Sequence, residues 1–362
     1  MNVLYAIQGT GNGHISRARD IIPQLQKHCK LDILISGTQS EVALPYPVKY
    51  KLHGFSFAYN QKGGIHYGKS AKDNFSLRLM KEIRDFPARN YDLIINDFEP
   101  VSAWAARLRG VRCISMGHQA SFLSEKCPRP EKRERFGEWV LRNYAPGKEA
   151  IGFHFLPYDS FIHTPVIREE IRSRTPVSKG HYTVYLPAVK DQRLISLLSQ
   201  IPQVEWQVFS KYVRKTEKIR NILVRPVNNT DFIESFVTSE GILTGAGFES
   251  PAEALYLGKK LFCIPIKGQY EQQCNAAALR ELGVPVVQKI DNFTLSYLTD
   301  WVCEGKSLQV DFPDQTEKIV AAIFEKERVS ETVSSVEGER IVEGERIERG
   351  NARIEGMNSR RY

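Results

Sequence analysis

No pair of cysteines stands at C-x-x-C spacing, and the six present (Cys29, Cys113, Cys127, Cys263, Cys274 and Cys303) are scattered. That argues against a metal site or a disulfide framework and suits reduced, packed thiols in a cytosolic protein. No apolar run approaches the ~20 residues that span a bilayer. The N-terminus, MNVLYAIQGTGNGH, lacks a basic leader and a small-residue cleavage site, so it reads as a buried first strand and not as a signal peptide. No G-K-[ST] directly follows the glycine loop at 8–18, so that loop is not a P-loop. There is no nucleic-acid motif and no basic–aromatic repeat. The net charge of +8 and pI near 9.0 therefore point to a membrane surface or an anionic substrate, with a merely basic protein as the bland alternative.

What is present is a soluble globular composition, 42% hydrophobic and 25% charged over 362 residues. That length fits two domains of about 150–170 residues plus a tail. Short, unalternating apolar runs (3–7, 31–37, 49–55, 91–97, 111–118 and 151–158) alternate with helical stretches near 15–27, 71–85 and 102–109. The pattern restarts with strands at 181–188, 204–210, 222–227, 241–246 and 260–266, and helices near 191–200, 230–238, 248–258 and 271–282. Buried parallel strands joined by helical crossovers read this way. The expected fold is α/β: two doubly wound, Rossmann-like domains facing a cleft. Residues 1–163 form the first domain, 164–180 a charged, proline-containing linker, and 181–326 the second domain. The tail, 327–362, with its imperfect repeat EGERIVEGERIERG, lacks core spacing and reads as mostly disordered, or as a frayed helix.

Two segments carry chemistry. The loop QGTGNGHISRA (8–18) follows the first strand and opens a helix. Its glycines include Gly11 and Gly13, and His14 stands where a dinucleotide fingerprint needs its third glycine. The second strand ends in ISG, without the acid that would bind a ribose hydroxyl, which argues against NAD. His14 projects into the cleft from this backbone-rich loop at the helix N-terminus. The alternative is a loop-fixing histidine. Asp97 ends the strand YDLIIND and faces the cleft or caps the next helix, with Glu99 as the fallback carboxylate. His118, at another strand end, fits an acceptor pocket or a structural role equally well. The second segment is 244–283, TGAGFESPAEALYLGKKLFCIPIKGQYEQQCNAAALRELG. Gly245 and Gly247 allow close backbone approach to a diphosphate, Ser250 offers a hydroxyl, and the helix beginning near 249 points its positive end at the same place. Glu253 suits a ribose diol, and Glu271, Gln272 and Asn275 suit the hydroxyls of a hexose.

Together these segments resemble the GT-B glycosyltransferases, in particular the family of the peptidoglycan GlcNAc transferase and the galactolipid synthases. The resemblance is sharp at 9–18 and at 244–283. It implies a hexosyltransferase that uses a nucleotide-sugar, most simply a UDP-sugar, as co-substrate, with no cofactor or metal and with inversion at the anomeric carbon. It implies His14 as base with Asp97 as its partner, and Gly11, Gly13, Gly245, Gly247, Ser250, Glu253, Glu271, Gln272 and Asn275 around the donor. No D-x-D triad, the metal-diphosphate signature of the other glycosyltransferase fold, is present. The chain departs from the plant-type pattern at Gly245 and Glu249, and an acid at 249 would repel a diphosphate unless turned away. A sugar-nucleotide 2-epimerase of the non-hydrolysing kind and a non-catalytic nucleotide-sugar-binding protein are the competing readings. The basic stretch 126–145, with Phe136, Trp139, Val140 and Tyr144 interleaved, suits either a peripheral contact with the inner membrane face and a lipid-linked acceptor, or an ordinary surface helix. A cytoplasmic location is expected. Sugar, base, acceptor and oligomeric state are not legible.

Overall fold

The computed structural model describes residues 1–10, 12–37, 44–54, 77–291 and 293–325. The chain forms two compact units, Met1–Gln315 and Thr316–Tyr362. Of the second unit, residues 316–325 are helical, and the expected tail lies outside the described residues, as does Gly11.

The first unit holds two sheets. One is wholly parallel: β1 (Asn2–Gln8), β2 (Lys30–Ser36), β3 (Tyr50–Leu52), β4 (Leu93–Asp97), β5 (Arg112–Gly117), β6 (Glu149–Phe153) and β7 (Ile162–His163), in the order β3-β2-β1-β4-β5-β6-β7. The other comprises β8 (His181–Tyr185), β9 (Glu205–Ser210), β10 (Glu217–Ile219), β11 (Ile222–Pro226), β12 (Gly241–Thr244) and β13 (Lys260–Cys263), in the order β10-β11-β9-β8-β12-β13. Its strands are parallel except β10, which pairs antiparallel with β11. The α/β, doubly wound reading is therefore correct for both halves. The sequence reading missed β7 and β10. It also missed a short helix at Glu169–Arg172, inside the stretch read as linker, and a helix at Thr294–Glu304.

The helices that bear on the site are α1 (Asn12–Gln26), α2 (Pro100–Arg109), α3 (Arg135–Asn143), α4 (Glu249–Tyr256) and α5 (Tyr270–Glu281). Helix α1 buries Ile15, Ala18, Ile22 and Leu25, one stripe at helical spacing, and so lies along its sheet. In the second sheet, Tyr182, Trp206, Leu243, Phe262, Leu298 and Trp301 share one apolar core. Each such side chain contributes about 1.5–3 kcal/mol by leaving water.

Strand order fixes where ligands bind. In each sheet the order reverses direction once, between β1 and β4 and between β8 and β12, and crevices open at the carboxyl ends of such switch points. His14 follows β1, Asp97 ends β4, and the 245–247 turn follows β12. Another apolar cluster joins the halves: Tyr270 and Cys274 of α5 pack with Phe122, Leu141 and Ile162.

Candidate active site

The dyad is built by two strand ends. His14 occupies the first turn of α1, and its Nδ1 lies 2.8 Å from Asp97 Oδ1. With Nδ1 protonated and donating to the carboxylate, Nε2 carries the free lone pair. Burial alone would lower the imidazole pKa, but the charge and hydrogen bond of Asp97 outweigh it and hold the pKa above 6.5. Asp97 has no exposed surface. Burial would raise its carboxyl, yet Arg17 and His14 keep it below the usual carboxylate range.

Asp97 is not the cap of α2. That role falls to Glu99, which accepts hydrogen bonds from the backbone N–H groups of Val101 at 2.8 Å and Ser102 at 2.7 Å. The two acids point apart because Phe98 between them takes a left-handed backbone, φ 58°. A bulky residue there is strained by about 1–3 kcal/mol, and its ring packs against Tyr144 at 4.7 Å. Gly117 completes the pocket around Asp97, since a Cβ there would stand 2.4 Å from Oδ1.

Arg17 was not anticipated. It lies one turn beyond His14 on the same face of α1, a spacing the sequence displayed. It is buried, and its Nη2 donates to both oxygens of Asp97 at 2.8 Å. Its Nη1 donates to Glu249 Oε1, so the acid flagged as a liability beside a diphosphate is turned away to a guanidinium. Gly13 permits this approach, because a Cβ there would lie 2.4 Å from Glu249 Oε2. The first turns of α1 and α4 are thereby held together.

Helix α4 begins at Glu249 with no side-chain cap, and the Ser250 hydroxyl has no partner among the described residues. Gly247 faces open space, and a Cβ on Gly245 would meet the Gln272 amide oxygen at 3.4 Å. The turn is pinned from behind. Asn275, fully buried, donates to the Ala246 carbonyl at 3.1 Å and pairs with His118 Nε2 at 2.8 Å. His118 donates from Nδ1 to the Phe153 carbonyl at 2.8 Å, stacks on Phe248 at 3.9 Å, and has its pKa lowered by burial. His118 is thus a strut under the glycine turn.

Gln272 accepts from the Ile266 backbone N–H at 2.9 Å, and Glu271 accepts from Gln119 at 3.1 Å. Glu253, 2% exposed, accepts from Nε and Nη2 of Arg168 at 2.5 and 2.8 Å. Arg168 is a second residue the sequence did not single out, because it sits in the stretch read as linker. The 126–145 segment folds as α3 within it: Gly137 and Leu141 are buried, while Phe136 and Trp139 are stacked on each other and exposed. Among the described residues, no helix is long and apolar enough to cross a membrane.

With this geometry in hand, the glycosyl transferase family 1 description matches residues 1–304. The chain belongs to glycosyl transferase family 1. No curated protein matches the sequence. Among solved structures, this family 1 member is similar to MurG of Acinetobacter baumannii, with 15% identity, a TM-score of 0.52, and coverage of 90% of this chain and 99% of that one. It is also similar to Arabidopsis thaliana UGT89C1 in complex with quercetin, with 13% identity, a TM-score of 0.55, and coverage of 88% and 92%. The spinosyn forosaminyltransferase SpnP gives 14% identity, a TM-score of 0.54, and coverage of 90% and 94%. At these identities the likeness is one of fold, and that fold is GT-B. The family membership makes the chain a glycosyltransferase.

Proposed function

We propose that the protein moves a hexose from a nucleotide-sugar, read as a UDP-sugar, to an acceptor hydroxyl with inversion and without a metal. The observation that carries this reading is the His14–Asp97 pair at 2.8 Å, set beside the uncapped start of α4. His14 Nε2 takes the acceptor proton as the oxygen attacks the anomeric carbon, and Asp97 stabilises the imidazolium. The departing diphosphate meets the free N–H groups of the first turn of α4 and the Ser250 hydroxyl, around the close backbone approach that Gly245 and Gly247 allow. Glu271 and Gln272 lie at the hexose, Glu253 at the ribose, and Asn275 acts by holding the turn. Gly13 belongs to the same site as the residue that admits Glu249, and Gly11 is assigned to the loop by sequence. A single base and direct displacement give inversion.

The UDP assignment is supported by a structure similar in fold: Arabidopsis UGT89C1 with UDP-L-rhamnose, with 15% identity and a TM-score of 0.54. Incubation with a panel of UDP-, GDP- and dTDP-sugars should give nucleoside diphosphate release with the UDP donors. Saturable UDP binding with no turnover across a broad acceptor panel would instead mark a non-catalytic sensor.

On the acceptor side, Phe136 at 54% and Trp139 at 55% exposure stand on α3 beside exposed Lys132, Arg133 and Arg135. This fits a peripheral contact with an anionic membrane and a lipid-linked acceptor. Co-sedimentation with phosphatidylglycerol vesicles is expected, reduced about tenfold or more in F136S/W139S by loss of two aromatic anchors. Equal pelleting with and without vesicles would remove the membrane from the account.

A further inference from the structure

Arg17 has more partners than a residue that only supports a histidine–aspartate pair needs. Its side chain is 1% exposed, and a guanidinium stays charged at every pH the protein meets. Its Nη2 bridges both Asp97 oxygens at 2.8 Å and stands 3.3 Å from His14 Nδ1. Arg17 and His14 therefore compete for the same carboxylate oxygen, Oδ1. The other arm of the fork, Nη1, holds Glu249, 232 residues away on α4. The charge of Asp97 is divided between imidazole and guanidinium, and the charge of the guanidinium between Asp97 and Glu249.

The groups that face His14 come from four elements: Arg17 on its own helix, Asp97 at the end of β4, Glu249 at the start of α4, and the buried Tyr5 phenol of β1, which acts on Asp97 and Arg17. Glu249 is the member able to leave. Its side chain is 24% exposed, and its seat over α1 exists only because residue 13 has no Cβ. It also sits at the helix start where the donor diphosphate binds in the transferase reading.

We propose that Arg17 is a positioning residue that couples the basicity of His14 to Glu249 on the donor helix. With Glu249 holding the guanidinium, Asp97 is freer to favour the imidazolium, and His14 is the stronger base. With Glu249 withdrawn, Arg17 takes a larger share of Asp97, and His14 becomes the weaker base. The site thereby senses whether the first turns of α1 and α4 are in contact. For its catalytic meaning the inference rests on His14 as the base; the titration it forecasts does not.

The test is an NMR titration of the full chain labelled with ¹⁵N-histidine, with the His14 signal assigned by its loss in His14→Gln. Glu249→Gln should move the His14 midpoint to lower pH. Arg17→Gln should move it to higher pH, because Asp97 then faces the imidazole alone. Arg17→Lys, which keeps the charge, should return it toward the wild-type value. On the Arg17→Gln background, Glu249→Gln should lose most of its effect. Should Arg17→Gln fail to fold, an unmoved midpoint in the partly exposed Glu249→Gln still overturns the coupling. Unmoved midpoints, or shifts of the same sign in both variants, overturn the coupling. In turnover, the acid limb of the kcat/KM profile should follow the midpoint in each variant. An active enzyme with unmoved midpoints sinks the coupling alone. Opposed midpoint shifts in a protein that transfers nothing sink the base reading and leave the coupling standing.

Discussion

Asp97→Asn should slow sugar transfer by roughly a thousandfold, the scale on which a positioned general base contributes. The substitution keeps the shape, which matters because Gly117 leaves no room for anything larger. It removes the charge that stabilises the imidazolium and offers an amide that can hold the wrong tautomer. It also leaves the buried Arg17 with Glu249 as its remaining ion-pair partner among the described residues, which costs about 3 kcal/mol of stability by the usual scale for breaking a buried pair. The two effects separate in measurement: a melting curve reads the second, and steady-state rates on the folded fraction read the first. Donor affinity should stay within about threefold of wild type, since Asp97 touches no donor group in this reading. The wild-type pH profile follows from the raised pKa of His14. The neutral imidazole is the active form, so activity should fall as pH drops through a limb lying above 6.5. A folded Asp97→Asn enzyme with a wild-type rate would remove the dyad from the mechanism.

Glu253→Ala is expected to weaken UDP binding by roughly 10- to 100-fold, as befits the loss of a charged hydrogen-bonding partner for the ribose hydroxyls. It also leaves Arg168, whose side chain is 11% exposed, with only the longer contacts of its Nη1 to Glu170 and Asn229 among the described residues. A loss of about 3 kcal/mol in stability should accompany the change. Arg168→Ala separates the two functions. It removes the ion pair but leaves the carboxylate for the ribose, so UDP binding should persist while the melting temperature falls. Calorimetry with UDP on both variants checks this. Wild-type affinity in folded Glu253→Ala would confine Glu253 to a structural ion pair.

The fold was legible because its physics is local. Runs such as VLYAI and LIIND are apolar at every position, as strands buried on both faces must be, and they recur with helical crossovers between them. The elements that escaped notice lack that signal. Strand β10, Glu-Lys-Ile, is exposed at every position and exists by pairing with β11. The 294–304 helix places Leu298, Trp301 and Val302 inward, but its threonines, aromatics and cysteine carry weak helix preference.

The site divides along the same line. His14 and Asp97 stood out because each ends a recognisable strand or opens the helix after it. Arg17 and Arg168 did not, because the carboxylates they hold most closely, Asp97 and Glu253, lie 80 and 85 residues away. Only the folded chain brings them together. Glu249 shows the same thing from the other side. Its charge was an evident problem beside a diphosphate, and the answer to it lies on a helix in the other half of the unit. Asn275 and His118 are a different case. Asn275 was read as ligand-facing and His118 as either acceptor-lining or structural, and in the structure they hold the Ala246 turn and each other.

The most direct test of the account compares UDP release from UDP-sugars by wild type and by His14→Ala, at equal UDP affinity and with acceptor present. The account predicts rapid release by wild type and a rate lower by roughly a thousandfold in the variant. Equal rates would contradict it.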